Sequence, residues 1–360
     1  MSSYGLERIW GGEVMRSLID LSVERKLASI QKVLEIRPIE GADSIEAIRI
    51  NGWWVVSQKG EYQVDNPCVY LEIDSWVPTE LAPFLSKGRE PREYGGVKGE
   101  RLRTIRLRGQ LSQGLVLPLT KLPIGSWNEG DDVTDILDIQ KWEAPIPAQL
   151  AGQVKGLFPS FIRKTDQERI QNYTEYLTRY KDEPFEVSIK LDGSSMTVYQ
   201  NDGVFGVCSR NLDLTEDATN SFWVTANRLN LRQILNHIGK NLAIQGELIG
   251  EGIQGNPEKL KGHNLYVFDI WDIDNGRYCT PTERQQILDL IPGIQEVPVL
   301  ERGFRVFEVY DTVDKLLAYS DGPSLNASVR EGLVFKSSNR INHDIVSFKV
   351  INNNYLLKEK

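Results

Sequence analysis

The sequence predicts an α+β chain in two parts, a small antiparallel β-barrel followed by a larger mixed domain. Three observations lead there. The chain has 360 residues, enough for two domains that each bury a core. Short alternating strands with close turn punctuation crowd residues 27–130. From residue 166 onward, strands and helices interleave without a regular βαβ rhythm, which favours α+β over a doubly wound sheet.

The barrel rests on "LASIQKVLEIRPI", "IEAIRI", "WWVVSQKG", "NPCVYLEI", "RLRTIRLRG" and "GLVLPL". Several short strands at this spacing suggest a small closed barrel, and a five-stranded OB barrel fits the size. Residues 131–165 are expected to be a linker, because Pro145, Pro147 and Pro159 oppose regular structure; Trp142 and Phe158 should pack it onto a domain. "TDQERIQNYTEYLTRY" then reads as a helix, "FEVSIK" and "SMTVYQ" as strands, and "NDG" as a hairpin turn into "VFGVCS". "EDATNSFWVTANRLNLRQILNHI" reads as helical and "LAIQGELIG" as a strand. "LYVFDIWDI" and "RYC" form a hairpin across Asn275-Gly276. "TPTERQQILDLI" opens with Thr280 as N-cap, Pro281 at N1 and Glu283 at N3, a capping box. "EGLVFKS" and "IVSFKVI" are closing strands.

The net charge of −8 argues against a protein that coats nucleic acid, though a local basic patch can hide within it. Cys68, Cys208 and Cys279 lie far apart without a CxxC pair and read as reduced thiols of a cytoplasmic protein. His237, His263 and His343 form no metal-ligand spacing. No apolar run approaches a membrane span. Residues 1–26 are set apart as an extension; Glu and Arg interrupt any signal-peptide core.

In "EVSIKLDGSSMTVYQNDG", Lys190 ends an apolar alternating run, two residues before Asp192 and three before Gly193. An exposed lysine before a turn is the default, since a lone K-x-D-G arises readily by chance. As a nucleophile a lysine has one obstacle: about one molecule in a thousand or fewer is neutral at pH 7. Asp192 alone would raise its pKa. The arrangement makes sense if Asp192 holds a divalent cation or its waters, whose charge disfavours the ammonium. Gly193 is expected to let the chain turn away and leave room for a bulky ligand.

The match is not alone. "CSRN" follows with Arg210, "QGELIGEG" with Glu247, "YVFDIWD" with Phe268, "REGLVFKS" with Glu331 and Lys336, and "SFKV" with Lys349. Each piece is weak alone: Phe268 would by default be a core aromatic and Glu331 a solvated carboxylate. The ordered series resembles the polynucleotide ligase and capping-enzyme superfamily over residues 166–350. Ligases and capping enzymes of that superfamily that carry their OB domain last have room for it after the final motif; here eleven residues follow Lys349. With the barrel in front, "GLFPSFIRKTDQERIQN" and "LRTIRLRGQLSQGLVLP" resemble the ATP-dependent RNA ligases with an N-terminal OB domain, the Deinococcus-type nick-sealing RNA ligases, over residues 27–360.

That resemblance implies an OB domain at 27–130, a linker at 131–165 and a nucleotidyltransferase (adenylation) domain at 166–360. It implies ATP and Mg or Mn as cofactors, and a nicked RNA or RNA/DNA duplex as partner to a monomer. Lys190 would attack the ATP α-phosphate and become lysyl-AMP. Asp192, Glu247 and Glu331 would hold a hydrated Mg²⁺ or Mn²⁺. Lys336 and Lys349 would contact the α-phosphate, offsetting charge that develops in the transition state. Phe268 would stack on adenine with Ile189 in the same nucleotide site; Arg210 would contact the ribose or the 3′-OH end, and Arg169 a phosphate. One departure from the family pattern is a last motif lacking K-x-K: Ser347 and Ile351 flank Lys349 at two residues, leaving Lys358 for a second lysine role.

Arg89 to Arg108 is the densest basic stretch, with Arg101 and Arg103 expected on one strand face and Arg106 and Arg108 on the other. These arginines, with Lys59, are candidates for the RNA backbone or the triphosphate tail, against a solvated loop as the plain alternative. Trp53, Trp54 and Trp76 are candidates for base stacking; alternation makes one of the first two a core residue. Two other readings stay open, an ATP-dependent DNA ligase and a noncatalytic OB-type RNA-binding protein with a degenerate transferase domain.

Overall fold

The computed structural model describes residues 25–144, 150 and 152–358. The N-terminal extension up to residue 24 and the linker prolines Pro145 and Pro147 lie outside the described residues.

The first part is an open barrel of short strands. A five-stranded sheet runs β10-β4-β1-β2-β3, with β1 Ala28–Pro38, β2 Ile45–Ile50, β3 Trp53–Gln58, β4 Pro67–Leu71 and β10 Leu115–Leu117. A four-stranded sheet runs β11-β5-β7-β6, with β5 Ser75–Pro78, β6 Arg92–Tyr94, β7 Val97–Arg101 and β11 Gln140–Lys141. The long β1 makes the curvature possible. Ala28–Lys32 pair with β4, the register shifts between Val33 and Glu35, and the rest pairs with β2. Such a bulge bends a strand and lets it serve two partners. Inside lie Leu27, Ile30, Val69, Leu71, Val77 and Leu117 in one cluster, and Val33, Ile48, Ile50, Trp53, Val55 and Tyr70 in another.

The basic stretch is not one strand. β7 ends at Arg101, and a separate two-stranded ribbon, β8 (Ile105–Leu107) with β9 (Gln110–Ser112), carries Arg106 and Arg108 exposed near its tip. Arg103 is half-buried. Arg101 departs from the expectation of a nucleic-acid contact. It is buried, bonded to Asp74 through Nη2 at 2.6 Å, and lies 3.8 Å over the Trp142 ring. Trp53 is the core member of its pair and Trp54 the half-buried one, with Arg37 at 4.4 Å from the Trp54 ring. Trp76 is also buried.

The second part holds two sheets. The eight-stranded one runs β12-β16-β15-β14-β17-β18-β19, with β20 added parallel to β18. Its strands are β12 Val154–Leu157, β14 Ser194–Asn201, β15 Val204–Cys208, β16 Leu212–Leu214, β17 Leu242–Gly250, β18 His263–Asp272, β19 Arg277–Tyr278 and β20 Gln295–Glu296. The four-stranded one runs β21-β13-β22-β23, with β13 Phe185–Lys190, β21 Val299–Phe304, β22 Gly332–Ser337 and β23 Ser347–Ile351. The helices are α1 Tyr176–Arg179, α2 Ser221–Arg228, α3 Leu231–Ile238, α4 Pro281–Leu288, α5 Val306–Val309, α6 Val313–Ser320 and α7 Asn353–Leu356. Helices α2 to α4 cover the larger sheet through Phe222, Trp223, Leu231, Leu235 and Leu288; α5 and α6 cover the smaller through Val306, Phe307 and Leu316.

The capping box of α4 is present, with Thr280 and Glu283 each bonding the other's backbone. Asn220 caps α2, and Asn230, with φ 53°, breaks the expected long helix into α2 and α3. The helix expected over 166–181 does not form. Only a 3₁₀ turn at Ile170–Asn172 and the single turn α1 appear. Arg169 and Gln171 are buried against the barrel and Ile170 between them in the core of the second part, so tertiary contact overrides local propensity.

That contact joins the two parts. Gly52 N donates to Gln171 O at 2.9 Å, Trp53 Nε1 to Asn172 Oδ1 at 2.7 Å, and Asn172 Nδ2 to Glu72 Oε1 at 2.5 Å. Ile351 and Leu356, from the far end of the chain, sit in the barrel cluster beside Trp53 and Val55. A Cβ at Gly52 would lie 2.7 Å from Gln171 Cα, so this glycine marks the closest approach of the two backbones. Gly52→Ala is expected to lower stability by about 1–3 kcal/mol, the range for overpacking a fitted contact, read as a fall in the urea midpoint.

Candidate active site

The register of β13 against β22 builds the centre. Lys190 stands opposite Gly332, so the side chain of the preceding residue, Glu331, reaches it: Lys190 Nζ lies 2.9 Å from Glu331 Oε2. Glu247 comes from β17 on the other sheet, and Asp192 from the loop after Lys190. Gly193 does not serve as a free turn. A Cβ there would lie 2.5 Å from Leu248 O and 3.0 Å from Glu247 Cγ, so its bareness lets this loop press against β17. The close approach sets Asp192 beside the strand that carries Glu247.

The electrostatics are unbalanced toward negative charge. Burial alone would lower the Lys190 pKa; Glu331, Glu247 and Asp192 outweigh it and hold the ammonium above its ordinary value. Glu247 moves the other way for an acid. Burial, then the charges of Glu331 and Asp192, push it up to about 8, with Lys190 opposing. Three carboxylates thus share one ammonium. Hard oxygen donors with surplus negative charge suit Mg²⁺ or Mn²⁺. Among the described residues no group of three or more His, Cys, Asp or Glu is arranged to hold a metal directly. The donor set therefore fits an ion that keeps water between itself and some of the carboxylates, as Mg²⁺ commonly does.

A cationic rim lies next to this centre. Lys349, on β23, is bridged in parallel register to Arg169. Burial drives the Lys349 pKa down to about 8, Asp166 opposing and Arg169, Arg25 and Lys190 adding to the fall. Arg169 is buried and bonds Asp74 through Nη2 at 3.1 Å, while its Nε and Nη1 have no hydrogen-bond partner. Buried unpaired donors are costly; an anion beside Lys349 would satisfy them. Asp166 gathers Arg210 at 3.1 Å, Lys349 at 3.7 Å and Lys141 at 3.9 Å. Asp166 and Lys141 escaped the sequence reading, since neither stands in a recognisable motif.

Not every expected residue joins. Lys336 is four residues along β22 from the partner of Lys190, roughly 13 Å by strand rise. Its ammonium is buried against Asp269 at 2.7 Å and the Phe268 carbonyl. It belongs with Phe268, whose ring lies 5.6 Å from Lys336 Nζ and packs against the core behind β13. Ile189 does not line a nucleotide site with its side chain. It alternates to the opposite face from Lys190 and is buried among Val187, Leu191 and Leu333. Lys59 is exposed at the end of the barrel strand β3, and Lys358 lies exposed just past α7.

A strand-end amine held among carboxylates, beside donors that lack an anion, suits attack on a phosphate; the class is that of the covalent nucleotidyltransferases. An RNA ligase family model matches residues 183–351, and an OB-fold domain model matches residues 27–119. Among solved structures, the chain is similar to a mutant of Naegleria gruberi RNA ligase with AMP and Mn, at 48% identity and TM-score 0.86, covering 93% of this chain and 99% of that one. A further mutant of the same enzyme with ATP and Mn matches at 48% identity and TM-score 0.87, and the enzyme with PPi at 48% and 0.86, each with the same coverage. No match is found among curated proteins. The chain belongs to the ATP-dependent RNA ligase family, with an OB-fold domain ahead of its ligase domain.

The Glu247 shift sets a pH dependence. Its folded pKa of about 8 stands above the ordinary 4.5, so across that window the native chain keeps a proton that the unfolded chain releases. Stability contributed by this site therefore falls as pH rises from about 4.5 to about 8. Lys349 is protonated in both states over most of that range and adds little slope. Glu247→Gln is expected to flatten the decline of the metal-free thermal midpoint, and Mn²⁺ to raise the wild-type midpoint at the alkaline end more than the variant's. Thermal melts across pH, with and without Mn²⁺, check this.

Proposed function

We propose that this RNA ligase joins 3′-OH and 5′-phosphate ends at nicks in RNA or RNA/DNA duplexes through a lysyl-AMP on Lys190. The observation that carries the reading is Lys190 paired to Glu331 at 2.9 Å, with Glu247 and Asp192 adding two more carboxylates to its field. The Lys190 amine attacks the ATP α-phosphorus; the P–N bond forms as the bond to pyrophosphate breaks. The AMP then passes to a 5′-phosphate, and the 3′-OH displaces it as the phosphodiester closes. Asp192, Glu247 and Glu331 would hold a hydrated Mg²⁺ or Mn²⁺, whose charge stabilises the α-phosphate and favours the free amine.

The remaining roles follow the local chemistry. Arg169 and Lys349 take ATP phosphates, the unpartnered Nε and Nη1 of Arg169 being matched to an anion. Arg210, on the rim with Asp166, suits the ribose or the 3′-OH end. Phe268 takes the adenine face, and Lys336, fixed on Asp269, shapes that end of the cleft rather than reaching the α-phosphate. Duplex phosphates fall to the exposed Arg106 and Arg108 of the β8–β9 ribbon, with Arg103 beside them. The division expected at 130 and 165 shifts in this reading: the barrel takes in residues up to Lys141, since Val133, Leu137 and Ile139 lie in its core and Gln140–Lys141 pairs with β5, and the adenylation domain takes in β12, which pairs with β16.

Incubation with α-labelled ATP and Mn²⁺ should label the wild-type chain and peptide mapping should place the label on Lys190; Lys190→Ala should take none. Glu331→Ala and Glu247→Ala should slow adenylation by about 100-fold, the scale of losing one transition-state electrostatic partner, with the fold kept in circular dichroism. A GMP adduct, or wild-type rates in both glutamate variants, would overturn the assignment. Sealing of a nicked RNA duplex at low salt should be weakened in the Arg106→Ala, Arg108→Ala variant while its adenylation is kept, and its sealing should depend less steeply on salt than the wild type's, by a slope of about one per lost contact.

A further inference from the structure

Tyr355, in the turn of helix α7 that follows the last strand, donates its hydroxyl to Asp192 Oδ2 at 2.7 Å. The same turn is anchored on the barrel. The Tyr355 ring packs beside Leu356 and Ile351 on the cluster of Trp53, Val55 and Tyr70. Gln113 of the barrel donates Nε2 to Asn353 Oδ1 at 3.3 Å. The turn also holds Glu331, because Asn352 N donates to the Glu331 carbonyl at 2.9 Å and Asn352 Nδ2 to the Arg330 carbonyl at 3.2 Å. One segment therefore holds the Asp192 carboxylate and the backbone of Glu331 while resting on the other domain.

We propose that Tyr355 is a positioning residue for Asp192, and that through it the seating of the C-terminal turn on the OB domain orders the carboxylates for the metal. This rests on the reading of Asp192 as a metal-holding carboxylate. A carboxylate on a loop end can rotate about two bonds. A phenol held by packing on a different domain fixes one of the carboxylate oxygens and so limits that rotation. Partners of this kind tune metal affinity through the residue they orient. The proposal gives the OB domain a part in the lysine adenylation step that is separate from any grip on nucleic acid.

The test is Tyr355→Phe, which keeps the ring and its packing and removes only the hydroxyl. The Mn²⁺ concentration that half-saturates Lys190 adenylation at saturating ATP should rise about tenfold, the scale set by losing such a partner. High Mn²⁺ should restore the rate, and the KM for ATP and the thermal midpoint should stay at wild-type values. A second readout needs no turnover. Manganese binding, followed by its paramagnetic resonance signal with ATP present, should weaken by the same factor in Lys190→Met, Tyr355→Phe relative to Lys190→Met. Asp192→Asn is run beside it. If Asp192→Asn shifts the Mn²⁺ requirement and Tyr355→Phe does not, Tyr355 is a packing residue and the proposal falls alone. If Asp192→Asn leaves the requirement unchanged, the reading of Asp192 falls and the proposal with it.

Discussion

The pairing of Lys190 with Glu331 is set by the antiparallel register of β13 with β22, and the rest of the site is arranged around it. Moving that register by one residue would turn Lys190 into the core and bring Ile189 to the cleft, because alternate residues face opposite sides. The register is locked by what lies behind it: Phe185, Val187, Leu333, Phe335 and Phe348, buried in one cluster. Glu186, also buried, is held by Arg284 at 2.5 Å and Arg302 at 2.7 Å. Removing one member of such a buried set leaves an uncompensated charge, so it resists slippage more than it adds net stability. Catalytic geometry is thus inherited from an apolar core and a salt-bridge pillar that never touch substrate.

The second constraint is the surplus of negative charge. Three acidic groups around one ammonium are a poor arrangement for a resting protein, and Glu247, raised to about 8 by burial first and then by the charges of Glu331 and Asp192, answers it by holding a proton. In the neighbouring group of charges the balance reverses, with Lys349, Arg169 and Arg210 meeting Asp166 and Asp74. Negative inside and positive at the rim is the pattern a metal–triphosphate complex would neutralise in both places at once.

Much of this was legible in the sequence, and the limits have physical reasons. Lys190 ends the plainly alternating "FEVSIK", so its face could be read locally; Glu247, Glu331 and Lys349 were legible only through the ordered motif series that resembles a family. The capping box of α4 and the hairpin at Asn275–Gly276 are local chemistry, and local chemistry is what a sequence displays. Arg101 failed as a nucleic-acid contact because its partners, Asp74 and Trp142, are remote in sequence and reach it only through the barrel. The helix over 166–181 failed because the segment is buried against Gly52 and Trp53, a contact that periodicity does not encode. Lys336 kept its motif position but spends its charge on Asp269. Asp166 and Tyr355 have no signature, only neighbours.

The order of strands in the smaller sheet has a consequence for how the enzyme is made. β13 carries Lys190 near the middle of the chain, yet both of its neighbours, β21 and β22, are translated later, and the strand bearing Lys349 later still. The barrel can be synthesised whole before any of them, but one of its clusters stays open until Ile351 and Leu356 arrive. A nascent chain still on the ribosome therefore exposes Lys190 without Glu331, Lys349 or the turn that closes on the barrel. The cluster around Lys190 is therefore a property of the finished sheet, complete only when strands made late have paired with one made earlier.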